Sequence, residues 1–189
     1  MLDLTLEAEP PLGGFDETIG ATALTELANL AIVSIAIPLG GEAALGAALA
    51  EAYGTTMPAP GQSVLSHDSK IRFLWTARDQ LFAIFEDPSP NAASDVAKKL
   101  NDKAYVTLQS DNWVVLRLEG DLAGSALERI CPIDLHDTVF PEGQVARTTM
   151  EHMGAFVCRD GDHSFLLLSA SSSAKSYLHA VKTSLQNVA

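Results

Sequence analysis

The sequence predicts an α+β fold of two similar halves, each a β-α-β-β-α-β-like, ferredoxin-like unit with an antiparallel sheet and helices on one face. Three observations carry this expectation. Short runs rich in Val, Ile, Leu and Phe alternate with amphipathic stretches of helical period. Two tight breaks, Arg78-Asp79 and Asp160-Gly161-Asp162, each join a pair of strands as hairpins. Helical stretches recur after pairs of strands, which segregates helices to one face of an antiparallel sheet.

Taken in order, residues 1–26 read as an acidic N-terminal arm. Pro10-Pro11, Gly13-Gly14 and scattered acids show no sustained period, with at most a short helical turn over 22–27. Residues 30–37 (LAIVSIAI) end at Pro38, Gly40 and Gly41 and read as a strand. A helix follows over 42–52, with Leu45, Ala48, Leu49 and Ala52 on one face and Gly54 closing it. Residues 54–69 carry Gly, Pro and Ser without a period and read as a mobile loop. Residues 71–76 and 80–86 form the first hairpin, ended by Pro88 and Pro90, and residues 91–100 form a helix presenting Ala92, Val96 and Leu100.

Strands over 104–109 and 113–119 flank the turn Ser110-Asp111-Asn112, and a helix over 121–130 opens on Asp121 as its capping acid. After a loop over 131–143 come strands at 145–150, 154–159 and 164–169. The last helix opens in Ser171–Ser173 and buries Ala174, Leu178, Val181 and Leu185. The halves divide at about residue 110, giving 1–26, 27–110 and 111–189 as segments of one compact domain or two intimate ones.

Charge narrows the function. The 189 residues carry 24 acidic and 12 basic side chains, a net charge of −12. Lys70 is the first base, so residues 1–69 hold nine carboxylates with nothing to balance them. Phosphate backbones and anionic bilayers are bound by Lys and Arg, so neither nucleic acid nor a membrane is an expected partner. The acidic third is either a solvated face or a surface that docks on a basic partner. The charge-free stretch 27–41 is too short for a bilayer span, which takes roughly 20 apolar residues. With no positive n-region at the start and only Cys131 and Cys158, the chain is expected in the cytoplasm with both thiols reduced and buried.

Catalytic motifs are missing. The turn Leu39-Gly40-Gly41-Glu42 departs from phosphate-binding spacings, and Glu42 repels phosphate, so it reads as a plain strand-to-helix turn. Asp134-Leu135-His136-Asp137 offers two carboxylates and an imidazole, but His152 and His163 complete no ligand spacing. Ser63 lacks the glycines of a nucleophile elbow, and Cys131, between Ile130 and Pro132, reads as buried. No catalytic, cofactor-binding or metal residue is assigned.

One region is familiar as a set of ordered motifs. It runs through Val106-Thr107-Leu108-Gln109-Ser110, Gly120 after the next strand, Asp134-Leu135, Phe140-Pro141-Glu142-Gly143 and Arg147-Thr148. This resembles the γ subunit family of heterotetrameric sarcosine oxidase. Residues 71–86, with Phe73-Leu74-Trp75, are similar to that family's tryptophan-bearing strand. The folate-binding fold of the glycine-cleavage T protein is a more distant likeness.

The resemblance implies a cofactor-free subunit that packs on the large α subunit, beside β and δ subunits. The complex would oxidatively demethylate sarcosine to glycine and pass the one-carbon unit to tetrahydrofolate. FAD, FMN, NAD, zinc and tetrahydrofolate would sit on the other subunits. Alternatives are a free-standing tetrahydrofolate-binding, aminomethyltransferase-like protein and the equivalent subunit of an N-methylglutamate dehydrogenase. Gly120, Asp134, Phe140, Pro141, Gly143, Arg147 and Thr148 are the residues expected to build a family motif or touch a partner. For Arg147 an internal ion pair with Asp134 or Asp137 is expected ahead of a contact with a partner's carboxylate.

Overall fold

The computed structural model describes residues 9–87 and 89–189; Pro88, an expected strand terminator, and the first eight residues of the expected arm lie outside the described residues. The chain folds as α+β. The strands are β1 (Asp16–Ile19), β2 (Thr22–Glu26), β3 (Leu30–Ala36), β4 (Ser63–Leu65), β5 (Ile71–Ala77), β6 (Gln80–Glu86) and β7 (Tyr105–Leu108), then β8 (Trp113–Glu119), β9 (Val145–Met150), β10 (Met153–Gly161) and β11 (Ser164–Ala170). The helices are α1 (Glu42–Tyr53), α2 (Ala92–Lys99), α3 (Ala123–Glu128) and α4 (Ala174–Gln186). A six-stranded sheet runs β1-β2-β8-β11-β10-β9 and a five-stranded sheet runs β4-β5-β6-β3-β7. Every pairing is antiparallel.

Three cores set four layers. Leu45, Leu49, Tyr53 and Val96 of α1 and α2 pack on Val33, Ile35, Phe73 and Leu81 of the five-stranded sheet. Leu127, Tyr177, Val181 and Leu185 of α3 and α4 pack on Leu116, Leu118, Val157 and Leu167 of the six-stranded sheet. Between the sheets lie Ile32, Leu74, Phe82, Ile84, Val115, Phe156, Cys158, Leu166 and Leu168. Both faces of the central strands are therefore buried, which is why residues 30–37 and 164–169 read as continuous apolar runs instead of alternating ones.

The described part of the N-terminal segment, residues 9–26, is not an arm. Residues 22–26 form β2, paired with β8 from Ala23↔Glu119 to Glu26↔Leu116, and β1 extends the sheet beyond it. The buried face of β2 consists of Thr22, Leu24 and Glu26, so only one of three inward side chains is apolar and the alternation does not register in hydropathy. Each polar member has a task. The Leu122 N–H donates to Thr22 Oγ1 at 3.2 Å, which satisfies the start of α3. Glu26 accepts from the backbone N–H groups of Leu12 (2.9 Å) and Gly14 (2.7 Å), folding residues 9–15 over the sheet. A Glu26→Ala variant leaves both N–H groups without that acceptor and is expected to lose about 2–3 kcal/mol in a thermal or urea melt.

Two smaller differences share one cause. The expected mobile loop over 54–69 contains β4, whose three residues carry only Val64 and Leu65 as apolar signal. α3 begins at Ala123 and not at Asp121, because the Ala123 N–H closes a turn on the Gly120 carbonyl and Thr22 takes the capping role from Asp121. In each case a tertiary partner decides what the local sequence leaves open.

Candidate functional site

Six of the seven motif residues lie on the segment that leaves α3 and enters β9. Asp134 Oδ1 accepts from the His136 N–H at 3.0 Å, and the His136 carbonyl accepts from Val139 and Phe140, both at 2.8 Å. These two turns drive Leu135 and Phe140 inward, where they are 2% and 5% exposed in the core under α4. Asp134 and Pro141 stay at the surface. Gly143 has φ +87, a conformation that favours glycine. Its N–H donates to the Arg159 carbonyl at 2.9 Å, and its carbonyl accepts from the Ser63 N–H at 2.6 Å. With Val145 N–H donating to Gly61 at 2.7 Å, this one segment ties the edge strand β4 of one sheet to β10 of the other.

The residue that anchors the segment is Arg159 on β10, which is only 5% exposed. Its cross-strand partner is Phe165, and the guanidinium lies 4.7 Å from that ring's centre. One nitrogen, Nη2, donates to the Leu135 carbonyl; Nη1 donates to the Asp162 carbonyl at 2.8 Å and lies 2.7 Å from Asp137 Oδ1. A planar fork can serve acceptors from different loops at once, which an ammonium cannot. Sequence reasoning missed Arg159. Its signal is a lone cation ending the apolar run Phe156-Val157-Cys158, directly before the acidic hairpin Asp160-Gly161-Asp162.

The expected ion pair of Arg147 with Asp134 or Asp137 does not form. Asp137 is taken by Arg159, and Asp134 is spent on the His136 N–H. Arg147 is exposed on β9, stacked 5.5 Å from the centre of its cross-strand partner Phe156, with no carboxylate within ion-pair distance among the described residues. Phe156 belongs to an aromatic trio with Phe82 (5.9 Å) and Trp113 (5.4 Å) between the sheets. Thr148, the next residue, is half-buried.

Gly120 stands apart from this segment, where β8 turns toward α3. It has φ +135, and a Cβ there would lie 2.6 Å from the Ala21 carbonyl oxygen and 2.7 Å from Thr22 Cα. The turn between β1 and β2 crosses directly over this position, so the motif glycine is fixed by the N-terminal strands.

Cys158 Sγ lies 3.5 Å from Ser63 Oγ, and Arg72 Nη1 donates to that hydroxyl at 3.1 Å. Burial nevertheless pushes the Cys158 thiol up, and burial does the same to Cys131, so both are held protonated. A raised thiol value means the folded state disfavours the thiolate. Stability is therefore full below the ordinary thiol value and declines as pH rises through it. Neither thiol is expected to react with a disulfide reagent such as DTNB at pH 8 until the chain is denatured, and an unfolding midpoint measured from pH 7 to 10 is expected to fall. No group of three or more His, Cys, Asp or Glu side chains able to hold a metal occurs among the described residues. No helix among them is long and apolar enough to cross a membrane.

No protein-family model matches the chain. The sequence is 31% identical to sarcosine oxidase subunit gamma of Corynebacterium sp. (strain P-1) over 163 residues, covering 86% of this chain and 79% of the relative. It is 33% identical to sarcosine oxidase subunit gamma of Arthrobacter sp. over 152 residues, covering 80% and 73%. Among solved structures, a chain of the heterotetrameric sarcosine oxidase from Corynebacterium sp. U-96 is similar at a TM-score of 0.77 and 26% identity, covering 91% of this chain and 88% of that one. The glycine cleavage system aminomethyltransferase T from Bartonella henselae is similar in fold, at a TM-score of 0.61 and 15% identity over 85% of this chain and 45% of that one.

Proposed function

The chain belongs to the sarcosine oxidase subunit gamma family, and on that premise we propose that it is the gamma-type, non-catalytic subunit of a heterotetrameric sarcosine oxidase, acting in assembly. The observation that carries this is the near full-length agreement with a chain of such a complex, at a TM-score of 0.77. The chain is a subunit of a multi-subunit complex. In the finer reading it packs on the large α subunit, with β and δ subunits completing a cytoplasmic assembly that oxidatively demethylates sarcosine and passes the one-carbon unit to tetrahydrofolate. FAD, FMN, NAD, zinc and tetrahydrofolate are assigned to the other subunits, in keeping with a sequence that carries none of their motifs. Neither the free-standing aminomethyltransferase nor the N-methylglutamate dehydrogenase subunit is favoured: the similar relatives are sarcosine oxidase gamma subunits, and the likeness to aminomethyltransferase T covers 45% of that chain and concerns the fold alone.

We also read each half as a ferredoxin-like unit. Supporting this, β5-β6-β3-β7 has its crossovers through α1 and α2, and β10-β11-β8-β2 has the same spatial order with its fourth strand supplied from the N-terminal side. The edge strands β4 and β9 are then equivalent additions.

The assembly reading gives Arg147 a role. An exposed cation stacked on an aromatic ring and without an ion-pair partner among the described residues suits a partner's carboxylate. Arg147→Ala is expected to change fold stability by less than about 1 kcal/mol, since exposed charges contribute little. Recovery of the chain in the purified complex is expected to fall and to become more sensitive to salt. Unchanged recovery at both low and high salt removes Arg147 from the interface.

A further inference from the structure

We propose that the open edge of β7 is a strand-addition site, where an extended segment of the larger partner subunit joins the five-stranded sheet. The inference rests on the assembly reading above and says where and how the contact is made.

In an antiparallel pair, alternate residues turn their backbone groups toward and away from the neighbour. The Gln109 N–H donates to the Ile32 carbonyl at 2.7 Å, and the register runs Ser34↔Thr107 and Ala36↔Tyr105. Thr107 and Tyr105 therefore bond to β3, and the N–H and C=O of Val106 and Leu108 face outward. Tyr105 is 72% exposed and Leu108 is 39% exposed, so this edge presents both unpaired backbone and apolar side chains.

Sheet edges are ordinarily blunted by charge, shortness or cover. The other three edges among the described residues follow that rule. β1 carries Asp16 and Glu17, the latter paired with Lys182. β4 has three residues and is bridged beyond its end by Gln62↔Gln144. β9 carries Arg147 at its centre. β7 reads Tyr-Val-Thr-Leu, with no charge and no proline.

Charge selects the occupant. A second copy of this chain would bring together two molecules of net charge −12. Yet residues 95–103, just before β7, hold exposed Lys98, Lys99 and Lys103 against Asp95, which pairs with Lys98 at 3.2 Å, and Asp102, so the stretch is net positive in an acidic chain. That local reversal of sign suits an extended peptide of alternating apolar residues with acids at the end beside Lys103. Main-chain bonds to Val106 and Leu108 would supply affinity, with Tyr105 and Leu108 giving the side-chain contacts.

The test is hydrogen exchange on the intact complex, with this chain produced together with its partner subunits. The Val106 and Leu108 amides are expected to exchange at least about tenfold more slowly than other exposed loop amides, because a cross-strand bond must open first. A Tyr105→Lys/Leu108→Lys variant, which places charge on the edge without altering the bonds to β3, is expected to reduce recovery of the chain in the complex by about tenfold. A Gln186→Lys variant at the exposed end of α4 serves as the control and is expected to assemble normally. If the complex forms but both amides exchange freely, the edge proposal is overturned and the assembly reading stands. If the chain instead dimerises with itself through protected β7 amides, the assignment of a partner segment is wrong. If no complex forms with the unaltered chain, both readings fail together.

Discussion

Replacing Gly120 with alanine is expected to lower stability by about 3–5 kcal/mol, a large share of the roughly 5–15 kcal/mol typical of a domain. Two costs add. At φ +135 the backbone conformation is one that a residue with a Cβ adopts only under strain of about 1–3 kcal/mol. The Cβ would also sit 2.6 Å from the Ala21 carbonyl oxygen, and relieving that contact displaces the β1–β2 turn at a comparable cost. The obstruction is backbone, so no side-chain rotation removes it. A melting temperature lower by about 10 °C is the expected readout for a chain of this size. Gly124→Ala in α3 is the companion variant. Open space surrounds that position and it is helical, so a gain of up to about 1 kcal/mol is expected. Equal effects at the two positions would show that the crossing of the β1–β2 turn over Gly120 does not matter.

Arg159→Leu is expected to cost about 3–5 kcal/mol, because the loss is one-sided. Leucine can keep the contact with Phe165, but the Leu135 and Asp162 carbonyls lose their donor and the segment bearing Phe140 and Gly143 loses its anchor. Arg159→Lys is expected to recover only part of this, since one ammonium cannot reproduce the fork. Asp137→Asn separates the ion pair from the carbonyl contacts. Its side chain is 70% exposed, so its loss is expected to cost no more than about 1 kcal/mol. If Asp137→Asn were as damaging as Arg159→Leu, the ion pair and not the carbonyl fork would hold the segment. Limited proteolysis gives a second readout: Arg159→Leu is expected to expose residues 131–143 to cleavage before the rest of the chain.

Much of this architecture was legible in the residues, and the exceptions share a physical cause. The hairpin at Arg78-Asp79, the bulged hairpin at residues 160–162, α1, α2 and α4 all follow from turn chemistry and period. They occur where apolar side chains carry the burial. What failed was a strand whose inward face is Thr22, Leu24 and Glu26. Two of those three side chains are buried because they cap distant backbone groups, and such partners have no trace in local sequence. Arg147 and Arg159 show the same limit at the candidate site. Both follow apolar stretches near acids, and only the register of β10 on β11 and β9 decides that Arg159 turns into the acidic segment while Arg147 lies over Phe156 at the surface. The motif resemblance pointed to this segment but could not assign which arginine holds it.

The strand identity of residues 22–26 also changes how the acidic N-terminal third can be studied. Removing residues 1–26 would delete Leu24 and Glu26 from the six-stranded sheet, so a loss of assembly in that variant would report unfolding. Charge reversal at exposed β1 positions such as Asp16 leaves the buried face of β2 in place and is the better probe of docking.

The central claim is that this chain is an assembly subunit of a heterotetrameric sarcosine oxidase. Its most direct test is size-exclusion chromatography with light scattering on the chain produced together with the α, β and δ subunits. The expected result is one flavin-coloured species containing all four chains in equal amounts, with the Arg159→Leu chain depleted from it. A flavin-coloured complex that forms and turns over fully without this chain, while the chain elutes alone, would contradict the account.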